Sequence, residues 1–454
     1  MSIEPIGLIA LIAGLLCLLF KPIFSMYIFI PATLLGSAAA ILLGSGGQIQ
    51  PPHFLLLFLV IVVISRRNPL LDILKNIRFP LPGFWLACVV IIGLAGAFFS
   101  PRIFMGSTQI NAVGATEYGT SVMLTPLAPV GGNITQSIYL VSDLICFLIV
   151  VSLATTNSGF ESISLIIVVH AALNIFFAGL DVVTYYTNTA FLLDFIRNAQ
   201  YTLHLEEETG GLKRIAGSFS ETSVFSYTTL GAFGYSSTLW LSHKWTRVTG
   251  VIAIISLFLL ILSTSSTAIV STPIVLCAIY YTAIKNVINN THIKRSVSFL
   301  VGLPLLSVFL TLLILLNNNA SETIQNFLNT LIFDKSASQS GLERASWNKA
   351  ALDNFFDTYM LGAGLGSVRA SSFLISVPAN IGIVGSVFFL FFFYNIFSNR
   401  EAEYSSKSDV RAAARNGCIG MLAAAAISGA LVDLGLQFYI LAGLSCAYPR
   451  LCRK

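Results

Sequence analysis

Apolar runs long enough to cross a lipid bilayer recur from one end of this chain to the other, and almost no charge falls inside them. A helix needs about 17–25 such residues per crossing. Runs of this kind lie near residues 5–20, 23–43, 53–65, 83–99, 136–153, 162–182, 222–241, 248–263, 267–284, 296–316, 371–397, 412–430 and 433–449. In lipid every backbone N–H and C=O must find a partner within the protein, which leaves helices and closed barrels as the only spanning structures. The runs lack the two-residue alternation of a barrel strand. The sequence therefore predicts an all-α polytopic membrane protein with about 12–14 transmembrane helices. Composition agrees: 10% of residues are charged and 56% hydrophobic, where a soluble domain carries about 25% charged residues.

Most links between runs are short, but three are long, near 100–135, 183–221 and 317–370. The count of runs between them places all three on one side. That side holds only Arg102, Arg197, Lys213, Arg214, Lys335, Arg344, Lys349 and Arg369 of the 25 Lys and Arg, although it has most of the loop length. Basic residues concentrate in cytoplasmic loops. The long links are therefore expected outside, periplasmic or exterior, with the C-terminus in the cytoplasm. The net charge of +5 follows this topology and does not point to nucleic acid. Residues 1–454 read as a single membrane domain without repeat or soluble module. The first run lacks a basic leader and follows Glu4, so it reads as a retained helix. The seven Cys form no CxxC pair, and the five His are scattered. Neither a disulfide framework nor a metal site is expected.

Charge gathers in one place. Between Ser340 and Gly385 stand Glu343, Arg344, Lys349, Asp353, Asp357 and Arg369. Trp347, Ala351 and Phe355 recur at helical spacing, which predicts an amphipathic helix over 342–357. Ser340 and Glu343 fit a capping box, a structural role for Glu343. Arg344 has none: a cation is disfavoured in a first helical turn, so an anion should face it, be it Glu343, Asp334 or a ligand. Gly362, Gly364 and Gly366 predict a turn whose N–H groups can point at an anion, with Arg369 just beyond. A helix-terminating turn is the ordinary alternative.

A second constellation closes the middle link, where Arg214 precedes Gly217 and Glu221. Guanidinium at a helix mouth can clamp phosphate in bidentate fashion. Equally, Ser220 or Thr222 can cap the helix while Glu221 complements its dipole. Upstream, residues 191–208 read as an interfacial amphipathic helix. Among charges within or beside the runs, Asp143 is expected to be hydrogen-bonded inside the bundle; His170, Asp181 and Asp433 are the others.

The motifs ERASW (343–347), GAGLGSVRASS (362–372) and NIGIVG (380–385), together with RIAGSFSE (214–221) and LSTSS (262–266), resemble the O-antigen polymerase and ligase superfamily of bacterial glycosyltransferases. The resemblance covers about the last 250 residues. It implies a GT-C-like fold in the inner membrane and transfer of a glycan from an undecaprenyl-diphosphate carrier to an acceptor hydroxyl, outside the cell membrane. No metal, nucleotide or other cofactor is implied. Partners would be the undecaprenyl-diphosphate-linked oligosaccharide, membrane lipid and a chain-length regulator. Arg214, Arg344 and Arg369 would bind the diphosphate, Glu343 or, as second choice, Glu221 would accept the proton, and Arg344 would serve catalysis directly. Ligases of this superfamily usually carry a His after the Gly-rich turn. This chain has none from residue 293 onward, which favours a polymerase of surface or exopolysaccharide repeat units over a ligase acting on lipid A core or protein. A flippase for the same lipid-linked glycans is the alternative from another class. It would show inverted repeats and midplane charge; the sequence has no repeat, and its charge gathers in the long links instead.

Overall fold

Four helices open on Pro, which fits the first turn because its missing N–H would be unpaired there anyway. These are α1 (Pro5–Leu19), α2 (Pro22–Ala32), α3 (Pro51–Ile64) and, after α4 (Arg67–Asn76), α5 (Pro82–Ile103). The computed structural model describes residues 2–44, 47–65, 67–113, 124–201, 203–334, 338–398 and 406–448. Lys335 lies outside them, as do Arg66, Arg400, Arg450, Arg453, Lys454 and Cys452, which were counted above among the basic residues and the cysteines. The remaining helices are α6 (Gly131–Leu153), α7 (Asn157–Tyr186), α8 (Thr222–Leu241), α9 (Thr246–Leu262), α10 (Ser266–Ile288), α11 (Ile293–Leu315), α12 (Asn318–Leu328), α13 (Gln339–Asp357), α14 (Phe373–Phe397), α15 (Ser406–Ser428) and α16 (Leu436–Cys446).

Every expected run contains a helix. Six of them, α5, α6, α7, α10, α11 and α14, are long and apolar enough to cross a membrane. The protein is mostly helical and compatible with a polytopic membrane protein. Two runs are shorter than expected. The run near 23–43 stops at Ala32, and its remainder turns into β2 (Ile41–Gly44), which pairs with β1 (Ser2–Ile3) and β3 (Gly47–Ile49) in an antiparallel sheet. The Ser37 hydroxyl holds this stretch by donating to the Ser218 carbonyl at 2.8 Å and to that of Ile196 at 3.1 Å. The last run keeps helix only over Leu436–Cys446.

The most extensive helix pairing joins α8 and α15. It is close because Gly faces backbone on both sides. A Cβ on Gly234 would lie 2.5 Å from the Asn416 carbonyl oxygen, and one on Gly420 would lie 2.6 Å from that of Leu230. Small residues let membrane helices approach until side chains such as Asn416 bond across the seam. Asn416 donates to the hydroxyls of Thr238 at 2.8 Å and Thr282 at 2.9 Å. Gly234→Ala should therefore destabilise the protein by about 1–3 kcal/mol through overpacking. Thermal unfolding of the detergent-solubilised protein measures this, and unchanged melting would contradict it.

The long links meet at one end of the bundle. Between α5 and α6, β4 (Gln109–Ile110) pairs with β5 (Thr125–Pro126); residues 114–123 are not described. Asn354 of α13 donates to Thr108 Oγ1 at 2.9 Å and to the Gln109 carbonyl at 2.7 Å, and Thr108 donates to Asp357 at 2.6 Å. Arg369 N–H donates to the Asn111 carbonyl at 2.9 Å. The first and third links are thereby knit together.

Candidate functional site

The Gly-rich turn is a folded knot. Gly362, Gly364 and Gly366 all have positive φ, the left-handed region that Gly enters without strain. Most of the turn's N–H groups, which could have pointed at an anion, are taken. Ala363 and Gly364 donate to the carbonyls of Ala379 and Asn380, while Gly366 and Val368 donate to Asn380 Oδ1 at 3.0 and 3.2 Å. The Asn380 amide donates in turn to the Val368 and Ser376 carbonyls, both at 2.9 Å. Gly382, at φ 66°, breaks α14 so that the turn can nest against it. The anion cradle is thus corrected to a positioning device. Its motif partner NIGIVG holds the segment that ends in Arg369.

Arg369 stands outside the knot. Its guanidinium lies over the Trp347 ring, 4.5 Å from the centroid, a cation–π contact. The sequence motif ERASW thus supplies a platform for the arginine 22 residues on, a role for Trp347 that its sequence position did not suggest. Withdrawal from water lowers the Arg369 pKa, Glu221 raises it and Arg344 lowers it. At physiological pH the group stays a cation. Arg344, Arg369 and Glu221, distant in sequence, therefore sit within electrostatic range. Among the described residues no carboxylate forms an ion pair with Arg344 or Arg369. Neither Glu343 nor Asp334 answers Arg344.

The capping box is also corrected. Helix α13 starts earlier than 342, and Ser338 caps it by accepting from Gly341 N–H at 3.2 Å. Glu343 consequently falls in the second turn and is exposed.

Glu221 does line a cavity of about 350 Å³ at the loop end of the bundle. The cavity is walled by Gln50 and His53 at the start of α3, Tyr201 and Ser220 of the second link, Tyr227 of α8, Phe373 of α14, Ser428 of α15 and Asp433 before α16. Glu343 is not in its wall. The Arg369 segment is fastened beside it. Ala370 N–H reaches the Ala430 carbonyl at 3.2 Å, and the Ser372 hydroxyl donates to that of Ala426 at 2.7 Å. Glu221 is itself the N-cap residue of α8, without a side-chain cap, and it accepts from the Ser223 hydroxyl. Neither Ser220 nor Thr222 takes the capping position.

Arg214 has a partner of its own. It forms an ion pair with Glu207, within a hairpin of β6 (Glu208–Thr209) and β7 (Leu212–Lys213). The second link is anchored by Asp181 at the end of α7. This buried carboxylate accepts from Arg197 at 2.6 Å, Lys213 at 2.9 Å, Ala216 N–H at 2.9 Å and Gly217 N–H at 3.0 Å. Four charge-assisted donors on one anion explain why the expected helix over 191–208 does not form. Helix stops at a 3₁₀ stretch, Ala190–Ile196, and Arg197 turns inward. Asp143 is wholly buried on α6, where it lies against Asp433 and its oxygens have no other partner among the described residues. Among those residues no three His, Cys, Asp or Glu are arranged to hold a metal.

Fold and site together define a class, a mostly helical chain compatible with a polytopic membrane protein, with a cavity of mixed lining beside two arginines that lack ion-pair partners among the described residues. The chain matches no family model, no curated protein and no solved structure.

Proposed function

We propose that the protein polymerises surface or exopolysaccharide repeat units, taking glycan from undecaprenyl diphosphate in the bacterial inner membrane and passing it to a sugar hydroxyl. The observation that carries this is the pair of cations, Arg344 and Arg369, held near each other without a paired carboxylate among the described residues and fastened beside the cavity. Two like charges kept together are best satisfied by a polyanion, and guanidinium matches phosphate geometry. The basic-residue asymmetry supports long loops outside the cell membrane and a cytoplasmic C-terminus. Outside there is no nucleotide sugar, so the donor must already be activated and lipid-anchored.

In the reaction the acceptor oxygen bonds to the anomeric carbon as the bond from that carbon to the diphosphate oxygen breaks, leaving its electron pair on the diphosphate. Arg344 and Arg369 stabilise that growing charge. A carboxylate of the cavity wall takes the hydroxyl's proton. Of the two first considered, Glu221 lines the cavity and Glu343 does not. Arg214, paired with Glu207, contributes by shaping the hairpin or by exchanging its partner for substrate.

Arg344→Ala and Arg369→Ala should each lower polymer formation about 10²–10³-fold, the usual cost of one lost charge-stabilising donor, while the protein remains in the membrane. Normal polymer length and amount in both variants would sink the proposal.

A ligase is the second reading, favoured by one observation: His53 lines the cavity, and both its ring nitrogens are without partners among the described residues. A histidine from the first half of the chain can thus stand where the late motifs carry none. Offering purified protein a lipid A core or a growing glycan as acceptor separates the two.

A further inference from the structure

Two carboxylates reach the cavity, Glu221 and Asp433, and their surroundings differ. Glu221 lies in the field of Arg369 and holds the Ser223 hydroxyl. Asp433 makes no ion pair among the described residues; one of its oxygens accepts from Gly435 N–H at 2.6 Å. Behind it lies Asp143, fully buried, without a hydrogen bond of ordinary geometry yet close enough to Asp433 to interact with it. The groups facing this pair are His53 of α3, Tyr139 and Cys146 of α6, Tyr227 of α8 and Tyr439 of α16. None supplies a fixed positive charge. The Tyr439 hydroxyl is likewise buried without a partner among the described residues.

An isolated buried carboxylate is costly, and two neighbouring ones do not both ionise without a cation. The arrangement is chemically consistent when the pair holds one proton between its members, as carboxyl dyads do in other enzymes. The inner member has no route to solvent, whereas the outer one opens on the cavity.

We propose that Asp433 is the group that takes the proton of the attacking sugar hydroxyl, and that Asp143 positions it by sharing a proton with it. This rests on the glycosyl-transfer reading and names its base. The acceptor's O–H proton passes to the Asp433 carboxylate as the new C–O bond forms, the leaving electron pair goes to the diphosphate held by Arg344 and Arg369, and the proton then leaves Asp433 to water in the open cavity. Asp433 is a catalytic residue and Asp143 a positioning residue.

The test uses the purified full chain with undecaprenyl-diphosphate-linked repeat units, following glycan lengthening and, separately, retention of the lipid diphosphate. Asp433→Asn should lower turnover about 10²–10⁴-fold, the usual contribution of a general base, with lipid diphosphate binding unchanged. Asp433→Glu should recover part of the rate. Asp143→Asn removes the carboxyl that positions Asp433, so turnover should fall while lipid diphosphate binding is kept, and Asp143→Glu should restore part of the rate. Full turnover in Asp433→Asn, loss of lipid binding in that variant, or full turnover in Asp143→Asn would overturn the assignment while leaving the transfer reading in place. A wild type that binds the lipid and lengthens no glycan would sink the transfer reading, and this one with it.

Discussion

Replacing Asp181 with alanine is expected to cost about 3–5 kcal/mol, the usual penalty for leaving a buried charge without its partner. The carboxylate is fully desolvated, and Arg197 and Lys213 are nearly so, with side chains 4% and 3% exposed. Without Asp181 two cations remain in a space built for a balanced cluster, and the N–H groups of Ala216 and Gly217 lose their acceptor. The second link should detach from α7 as far as Glu221, which follows directly on this segment. Asp181→Asn keeps the shape and some of the hydrogen bonding but removes the charge, so it should fall between wild type and alanine. Thermal unfolding and limited proteolysis within 187–221 report the effect. If Asp181→Ala melts with wild type and this link resists protease equally, the cluster is not what holds the loop.

Asn380→Leu carries the second large effect. Leucine is close to asparagine in shape, so the loss is chemical: the N–H groups of Gly366 and Val368 lose an acceptor, and the Val368 and Ser376 carbonyls lose a donor. An orphaned buried polar group costs about 1–3 kcal/mol, and several arise at once here. The turn should loosen, Arg369 should leave Trp347, and polymer formation should fail together with stability. Arg369→Ala makes the useful contrast, because it should lose polymer while melting near wild type. Asn380→Asp retains the acceptor oxygen and loses the donor, and should be intermediate. An Asn380→Leu variant of wild-type stability would mean that the glycines alone define the turn.

Much of the helical fabric was legible without coordinates, for a physical reason. Transfer of a helix into an apolar environment depends on the summed hydropathy of neighbours along the chain, which can be read from one segment at a time. The exceptions are instructive. After Ala32 the run near 23–43 is apolar enough to continue, but Ser37 is drawn to carbonyls of Ile196 and Ser218, more than a hundred residues away. Residues 191–208 carry an amphipathic pattern, but Arg197 is claimed by Asp181. In both places a partner outside the segment outweighed local propensity, which is worth only tenths of a kcal/mol per residue.

At the site the division is similar. The spacing of Trp347, Ala351 and Phe355 announced α13, and the glycines announced a turn. The charged loop could be picked out because charge is rare in this chain. What the residues could not disclose was pairing. Arg214, Arg344 and Arg369 look alike on paper, yet Glu207 pairs with the first, and the other two have no ion-pair partner among the described residues. His53, Glu221 and Asp433 were dispersed over most of the chain, and only packing brings them to one cavity.

The sequence by itself determined that the chain is mostly helical and compatible with a polytopic membrane protein, where its apolar segments fall, and which late loop gathers its charge; these follow from composition and period along a single segment. The tertiary structure alone decided which cations are neutralised, that the Gly-rich turn serves to hold Arg369, and which carboxylates face the cavity. Those outcomes depend on electrostatic and hydrogen-bond partners contributed by remote segments, and such energies exist only once the chain has closed on itself.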